Sequence, residues 1–176
     1  MADRGALPGF LSGAASTNMK PTSTYDRALR LLEFRARSVS ELRRRLIQKG
    51  EPAEAVDEVL GRLRDQKLLD DAAFAREFAR SKVLGAGSSK RRILLELTRK
   101  GVARDVADQA VAGLQESEGI DASAAIHRVA AKKWKSLAKL DDFTRKRRLY
   151  AFLARRGFNP DEIQSALGKL GQALKT

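Results

Sequence analysis

Basic side chains that could bind a polyanion come in three groups along this sequence. Arginine and lysine form charge-assisted hydrogen bonds with phosphate and carboxylate oxygens, so a row of them predicts contact with phosphates or with an acidic protein surface. The groups are Arg43, Arg44, Arg45 and Lys49; Lys90, Arg91, Arg92, Arg99 and Lys100; and Arg145, Lys146, Arg147, Arg148, Arg155 and Arg156. We interpret them as one binding face that is repeated three times.

The same residues have a structural interpretation, in which they cover a solvated helix face. Basic residues in a last helical turn complement the helix dipole, and we favour that interpretation for the pairs Arg99–Lys100 and Arg155–Arg156. The consecutive cations of 145–148 differ, because they repel one another unless a partner is present. For that run we favour binding.

The sequence contains one tryptophan, and it lies within a further basic run. A nucleic-acid base could stack on Trp134 while Lys132, Lys133 and Lys135 contact phosphates. A single tryptophan on a helix is more often part of a core or a platform for lysine side chains. We favour the second interpretation and keep the first as an alternative.

Residues that could carry catalysis or hold a metal are scarce. There is no cysteine, and His127 is the one histidine, which excludes thiolate sites and sites built on several histidines. Neither paired carboxylates in an apolar setting nor a nucleophile beside a base is evident. We therefore predict a protein that is not an enzyme and that has no cofactor and no metal.

The net charge indicates the kind of partner. The 176 residues include 35 basic and 22 acidic side chains, which gives a formal net charge of +13. Residues 121–170 hold 12 of the basic and 5 of the acidic ones, and so contribute +7 of the total. Such an excess predicts nucleic acid, a nucleoprotein or an acidic protein surface as the partner.

The ends of the chain are expected to be tails, and no stretch is apolar enough to span a bilayer. Pro8, Gly9 and Gly13 interrupt the apolar character of residues 1–24, which we interpret as a flexible tail and not as a signal peptide. Residues 171–176 are expected to form a C-terminal tail. The expected location is the cytoplasm, without membrane association.

An internal repeat organises the chain around Gly50, Gly101 and Gly157. Apolar residues lie eight and four positions before each glycine and six, ten and thirteen positions after it. The first pair lies on one face of a helix that ends at the glycine, where a left-handed conformation costs little. The later three positions predict a second helix.

Each glycine unit is preceded by one more amphipathic segment, so the pattern predicts three helices per repeat. The repeats would span 25–69, 70–120 and 121–170, with about nine helices in all. The first helix is expected from about Asp26 to Arg37, and Ser38 with Glu41 has the spacing of a capping box at the start of the second. The predicted fold is all-α, three tandem three-helix repeats in an elongated, curved array.

Three motifs resemble those of the RecX family, and the resemblance covers about residues 25–170. They are Ser40-Glu41-Leu42-Arg43 with Leu46 and Lys49-Gly50; Lys67-Leu68-Leu69-Asp70-Asp71 followed by Phe74-Ala75; and Arg91-Arg92-Ile93 with Glu96-Leu97 and Lys100-Gly101-Val102. The resemblance implies a tandem three-helix fold. It also implies a regulator of RecA in homologous recombination and DNA repair. Such a regulator binds in the groove of the RecA–DNA filament and inhibits ATP hydrolysis and strand exchange.

Two other functions stay open for a basic helical repeat protein, which is expected to be a monomer in each case. It could bind single- or double-stranded DNA directly, with the third helix of each repeat in the major groove. Those helices begin with acidic residues, such as Glu54 and Asp57, which repel phosphate and count against reading of a DNA sequence. A helical scaffold for an unrelated acidic partner is the third alternative.

Overall fold

The computed structural model describes residues 23–121 and 124–173. In these two ranges the chain forms nine α-helices and no strand, which confirms the predicted all-α fold. The helices are α1 (Thr24–Phe34), α2 (Val39–Gln48), α3 (Ala53–Asp65), α4 (Asp71–Ser81), α5 (Lys90–Arg99), α6 (Arg104–Glu118), α7 (Ala125–Ser136), α8 (Asp142–Arg155) and α9 (Pro160–Ala173). A single π-helical turn, Lys82–Ala86, continues α4. Most of the expected tails, 1–22 and 174–176, lie outside the described residues.

The first helix begins slightly earlier than the sequence pattern suggested. Ser23 and Asp26 form a complete capping box, so α1 starts at Thr24 and not at Asp26. The capping box expected at the second helix is only half formed. Ser38 accepts a hydrogen bond from the backbone N–H of Glu41, but the Glu41 carboxylate points to other partners instead of returning to Ser38.

Side-chain caps also fix the starts of later helices. Ser89 caps α5 by accepting from the Arg92 N–H, and Asp141 caps α8. Asn159 caps the helix that begins at Pro160 in a reciprocal box with Glu162, with hydrogen bonds of 2.8 and 2.7 Å. These caps satisfy N–H groups that have no partner within the helix.

The three repeat glycines end the second helix of each repeat, as predicted. Gly50, Gly101 and Gly157 have φ angles of +87°, +78° and +88°, where a residue with a side chain is strained. After each glycine the next N–H returns to a carbonyl in the last helical turn, which is the hydrogen bond of a Schellman motif. The chain is thereby directed into the third helix of the repeat.

Each repeat has a hydrophobic core of its own. The positions predicted from the glycine spacing form these cores, and all are buried except Leu167 and Leu170, which are partly buried. Leu42, Leu46 and Leu63 belong to the first core, Ile93 and Leu97 to the second. Ala125 at the start of α7 is the exception, because it packs in the second core although it belongs to the third repeat. Residues outside the cores also join adjacent repeats.

Polar contacts join the first repeat to the second. Ser38 Oγ, at the start of α2, donates to the backbone oxygen of Lys100, the residue that ends α5. Lys100 Nζ in turn lies 3.0 Å from the Glu41 carboxylate. Gly101 lies so close to Ser40 that a Cβ on it would be 2.3 Å from the serine side chain. We call this contact joint 1.

The second and third repeats meet at equivalent positions, in a contact that we call joint 2. The backbone N–H of Ser89 donates to the oxygen of Arg156 at 3.0 Å, and Arg92 donates to the oxygen of Arg155. A Cβ on Gly157 would lie 2.6 Å from Arg92 Cβ. In both joints, therefore, the glycine end of a second helix lies on the capped start of the second helix of the repeat before it: α5 on α2 in joint 1, and α8 on α5 in joint 2.

The π-helical turn adds a further contact between the second and third repeats. It ends at Gly87, where a Cβ would lie 2.1 Å from a methyl group of Val129 on α7. Arg128, also on α7, donates to the backbone oxygen of Val83 within the turn. The cross-repeat hydrogen bonds of the described residues join adjacent repeats, as an elongated array requires.

Candidate functional site

The second helices of the three repeats carry the basic residues singled out from the sequence. The structure divides these residues into those bound within the protein and those that are exposed without a partner. In the first repeat Arg43 forms a two-pronged pair with Asp57 on α3, at 2.7 and 3.1 Å. Arg44, Arg45 and Lys49 are exposed and have no ion-pair partner among the described residues.

In the second repeat several of the basic residues belong to the joints. Lys100 pairs with Glu41, and its ammonium group lies 5.4 Å from the centre of the Phe78 ring. Arg92 pairs with Glu96 at 2.8 Å in addition to its contact in joint 2, and Arg91 donates to the oxygen of Gly157 at 3.3 Å. Lys90 and Arg99 are exposed without a partner within the described ranges.

In the third repeat the run 145–148 is not uniform. Arg145 donates to the backbone oxygen of Trp134 at 2.9 and 3.2 Å, and Lys146 pairs with Asp142 at 2.6 Å. Arg147 and Arg148 are exposed and unpaired in the part of the chain that the structure describes. Only these two of the four cations therefore fit the expectation of a run that needs an external partner.

The last turn of α8 shows the same division. Arg156 donates to the backbone oxygen of Ala86 at 2.8 Å, and its guanidinium lies 3.7 Å from the centre of the Phe152 ring. Burial lowers the pKa of Arg156, as do the charges of Arg155 and Arg92. Arg155 is exposed and has no side-chain partner within the described residues. Arg156 thus helps to hold joint 2, and Arg155 is free to bind.

Trp134 is part of the third core, which corrects the alternative that it stacks on a base. Its side chain is buried, and the Arg145 guanidinium covers the ring at 3.7 Å from the centre. Lys133 lies over Phe152, whereas Lys132 and Lys135 are exposed. Because the ring is covered on one side and packed on the other, only the neighbouring lysines can contact a nucleic acid.

Two carboxylates hold the basic helices in place. Burial alone would raise the pKa of Glu41, but hydrogen bonds from Arg35 and Lys100 outweigh it and lower the pKa to about 2. Burial also works against ionisation of Glu96, and hydrogen bonds from Lys82 and Arg92 nevertheless lower its pKa. Both groups are therefore charged at neutral pH and act as fixed acceptors for the surrounding cations.

Two cavities adjoin the exposed cations. The larger, about 840 Å³, lies between α5 and the turn from α8 to α9, and its lining includes Lys90, Arg91, Leu95 and Phe158. The smaller, about 510 Å³, lies on the first repeat and is lined by Arg35, Arg37, Glu41, Arg44, Arg45 and Gln48. Arg35 and Arg37 were not singled out from the sequence, since they precede α2 and only the fold brings them beside it.

Other kinds of site are not found in the described part of the chain. No group of three or more histidine, cysteine or acidic residues there could hold a metal ion. None of the described helices is long and apolar enough to cross a membrane.

Three tandem three-helix units with cations on each second helix define a class of protein, the basic all-helical repeat proteins. Family models identify the three units individually. They match 25–63 as the first, 70–111 as the second and 121–167 as the third three-helix domain of RecX. The chain belongs to the RecX family.

Curated relatives agree with this assignment, and solved structures agree with the fold. The "Regulatory protein RecX" of Pelodictyon phaeoclathratiforme is 40% identical over 140 residues, which are 80% of this chain and 84% of the relative. That of Mycobacterium ulcerans is 40% identical over 131 residues, 74% and 75% of the two chains. The fold is similar to that of RecX from Lactobacillus salivarius, with a TM-score of 0.66 and 19% identity over 85% of this chain and 95% of the other. A second RecX crystal structure gives a TM-score of 0.67 at 22% identity, over 82% and 71%.

Proposed function

We propose that this chain regulates RecA in homologous recombination and DNA repair by binding in the groove of the RecA–DNA filament. It acts in the cytoplasm as a monomer, and it inhibits ATP hydrolysis and strand exchange. The observation that carries the proposal is the set of exposed cations that have no partner within the described residues, present on all three second helices. They are Arg44, Arg45, Lys49, Lys90, Arg99, Arg147, Arg148 and Arg155.

The cavity between the second and third repeats supports a protein partner. It combines cationic side chains with apolar ones, among them Leu95, which is 49% exposed. Protein interfaces have apolar centres within polar rims, whereas contacts with phosphates alone need no apolar surface. An acidic filament surface with apolar residues of its own would match this cavity.

The proposed mechanism follows from the tandem arrangement. Three units joined end to end present their second helices in succession, so that one chain contacts several RecA protomers along the filament. An occupied groove excludes incoming DNA, which accounts for inhibition of strand exchange. Contacts with adjacent protomers hinder the rearrangement that each cycle of ATP hydrolysis needs, because bound ligand favours one arrangement of the protomers.

Nonspecific DNA binding is the second candidate, and the exposed cations support it as well. The third helices are poorly suited to sequence-specific contacts with DNA bases. They begin with acidic residues, and some of these, such as Asp57 and Asp108, already pair with arginines of the same repeat. Contact with DNA through the second helices and Lys132 or Lys135 is compatible with filament binding.

The test is RecA ATP hydrolysis on single-stranded DNA, titrated with this protein at low and at high salt, beside an assay of binding to the DNA alone. We expect inhibition at concentrations that leave bare DNA unbound. Inhibition that sets in only when the DNA is saturated would favour the nonspecific DNA binder instead.

A pair of charge-reversal variants tests the assigned residues. Arg147→Glu/Arg148→Glu removes two unpaired cations of α8, and we expect about tenfold weaker inhibition. Arg145 is left intact because it covers Trp134. Arg64→Glu/Arg76→Glu makes the same change in charge at exposed, unpaired arginines outside the second helices, and should inhibit almost as well as the wild type. Equal inhibition by both variants would remove Arg147 and Arg148 from the binding face.

A further inference from the structure

The smaller cavity on the first repeat is unusually rich in arginine. Arg35 and Arg37 reach it from the loop between α1 and α2, and Arg44 and Arg45 reach it from α2. Glu41 is the one carboxylate in its lining, and it is already bound to Arg35 and Lys100. We call this cavity with its four arginines the arginine groove.

One arginine of the groove is held in place by a backbone oxygen and forms no ion pair with a carboxylate among the described residues. Arg37 is half-buried, and its Nε donates to the backbone oxygen of Leu31 at 3.1 Å. Burial lowers the pKa of Arg37, and the charge of Arg35 lowers it further. The nearby Glu41 carboxylate opposes this shift, and Arg45 adds to it. A desolvated cation among like charges is costly unless an anion compensates it. Because Glu41, the one carboxylate nearby, is already bound to Arg35 and Lys100, the surplus of positive charge around Arg37 favours an external anion in the groove.

The repeats themselves show that the fold does not require this cluster. The four arginines lie at fixed distances before Gly50, and the residues at the same distances before Gly101 and Gly157 are their counterparts in the other two repeats. The counterparts are Ala86, Ser88, Leu95 and Glu96 in the second repeat, and Asp142, Thr144, Ala151 and Phe152 in the third. None of these is a cation, although both repeats fold into the same three helices. The cluster is thus particular to the first repeat, and its exposed members Arg44 and Arg45 are not part of the common three-helix scaffold.

The cations continue beyond the groove in a row. Lys49 lies one helical turn after Arg45, and a second cavity next to it is lined by Arg27, Arg30, Leu31 and Lys49. Arg27 is paired with Glu51, and Arg30 lies near the Asp26 carboxylate. Lys49 has no ion-pair partner in the described residues. A row of cations suits a polymer with regularly spaced charges better than a single small anion.

The lining distinguishes the groove from the cavity between the second and third repeats. The arginine groove is lined by charged and amide side chains alone, without the apolar surface that a protein partner would cover. Guanidinium groups bind phosphate oxygens with two parallel hydrogen bonds, and phosphate contacts of this kind position a protein on DNA.

We propose that the arginine groove of the first repeat binds the sugar–phosphate backbone of DNA. Successive phosphates of the backbone bind to Arg37, Arg44 and Arg45, and the DNA strand continues along the row of cations toward Lys49. The proposal rests on the proposed function only in placing the chain beside a nucleoprotein filament, and it assigns the first repeat to the DNA and leaves the cavity between the later repeats to the protein.

The experiment measures binding of the full chain to fluorescent single-stranded and duplex DNA over a series of salt concentrations. Each phosphate contact contributes about 0.7 for single strands, or about 0.9 for duplex DNA, to the slope of log affinity against log salt. Arg44→Gln/Arg45→Gln should therefore lower the slope by about 1.4 or about 1.8. Arg64→Gln/Arg76→Gln, the control of equal charge, should leave the slope unchanged.

Arg37→Lys gives a second variant, which keeps the charge but loses the two-pronged hydrogen bonds. We expect several-fold weaker DNA binding with helix content and melting temperature close to those of the wild type. An unchanged slope in Arg44→Gln/Arg45→Gln, or the absence of DNA binding by the wild type, would overturn the proposal.

The RecA assay separates this proposal from the proposed function. Variants of the groove that lose inhibition but keep the wild-type salt slope on DNA would show that the groove contacts protein instead. The opposite result is that Arg44→Gln/Arg45→Gln lowers the salt slope as expected but the wild-type protein never inhibits RecA. This result would overturn the proposed function and leave the DNA site intact.

Discussion

At the scale of single residues, the basic side chains have two different tasks. Arg43, Arg92, Lys100, Arg145 and Arg156 are bound within the protein, to carboxylates, backbone oxygens or aromatic rings. Others, such as Arg44 and Arg148, are exposed without a partner in the described part of the chain. A count of charges treats both sets alike, yet only the second set is available to another molecule.

Glu41 illustrates the first task, because it joins Arg35 of its own repeat to Lys100 of the next. We expect Glu41→Gln to lower the free energy of unfolding at pH 7 by about 2 kcal/mol, since Arg35 and Lys100 lose a charged acceptor. The measurement is urea denaturation of both proteins over a range of pH.

The difference in free energy of unfolding between the wild type and Glu41→Gln is expected to depend on pH. The pKa of Glu41 is about 2 in the folded protein, below its ordinary value of 4.5, so its stabilisation is present above about pH 4.5 and is lost as the pH falls toward 2. The gap between the wild type and Glu41→Gln should therefore close in acid. Glu33→Gln, an exposed glutamate without a partner among the described residues, should show no such gap. A gap that stays constant down to pH 2 would contradict this role.

At the scale of elements, the second helices of the three repeats all end at a repeat glycine, but the one in the third repeat begins differently from the other two. α2 and α5 begin at serines twelve residues before the repeat glycine, and each serine takes part in a joint. α8 begins earlier, at Asp142, and Arg145 occupies the position equivalent to those serines. There it covers Trp134, so the third repeat closes the surface that in the first two repeats receives a neighbour.

The repeat glycines allow the joints to be tested against a matched control. Alanine at Gly50, Gly101 or Gly157 pays about 1 kcal/mol for its left-handed conformation in each case. A Cβ at Gly50 meets nothing within 4 Å, whereas one at Gly101 or Gly157 would overlap Ser40 or Arg92. We expect a loss of about 1 kcal/mol for Gly50→Ala and about 2 to 3 kcal/mol for the other two, measured by chemical denaturation. Equal losses at all three glycines would mean that the joints contribute little.

At the scale of the whole molecule, three hydrophobic cores are coupled through small polar joints and through apolar contacts of α7, where Ala125 packs in the second core and Val129 lies against Gly87. Units of about this size are near the lower limit for folding alone, so each repeat depends on its neighbours. Small polar contacts also permit adjustment of one repeat against the next, which suits a protein proposed to follow a filament groove.

Trp134 provides a reporter for this coupling, since it lies in the third core and is the one tryptophan of the chain. In the wild type, thermal unfolding followed by tryptophan fluorescence should coincide with unfolding followed by circular dichroism. In Gly157→Ala the fluorescence transition should move to a lower temperature than the main loss of helix, because joint 2 is broken. Gly50→Ala should keep the two transitions together, and separate transitions already in the wild type would argue against coupling.

The amino-acid sequence alone predicts the second and third helices of each repeat, the glycines at which the second helices end and the core positions. Apolar spacing around Gly50, Gly101 and Gly157 is a local property of the chain, and a left-handed turn after a helix favours glycine wherever it occurs. The predicted second and third helices of each repeat, and nearly all of their buried positions, are confirmed. The residues of each RecX motif likewise lie close together along the chain, so the resemblance was visible without the fold.

Which basic residues are free, and which of them lie together, depends on the packing of the three repeats. Glu41 and Lys100 are 59 residues apart, and Arg156 meets Ala86 across 70 residues, so no local pattern could predict these contacts. The arginine groove likewise depends on the angle at which the loop before α2 places Arg35 and Arg37 beside Arg45. Charge acts through space, and the distance between two charges along the chain does not fix the distance between them in the fold.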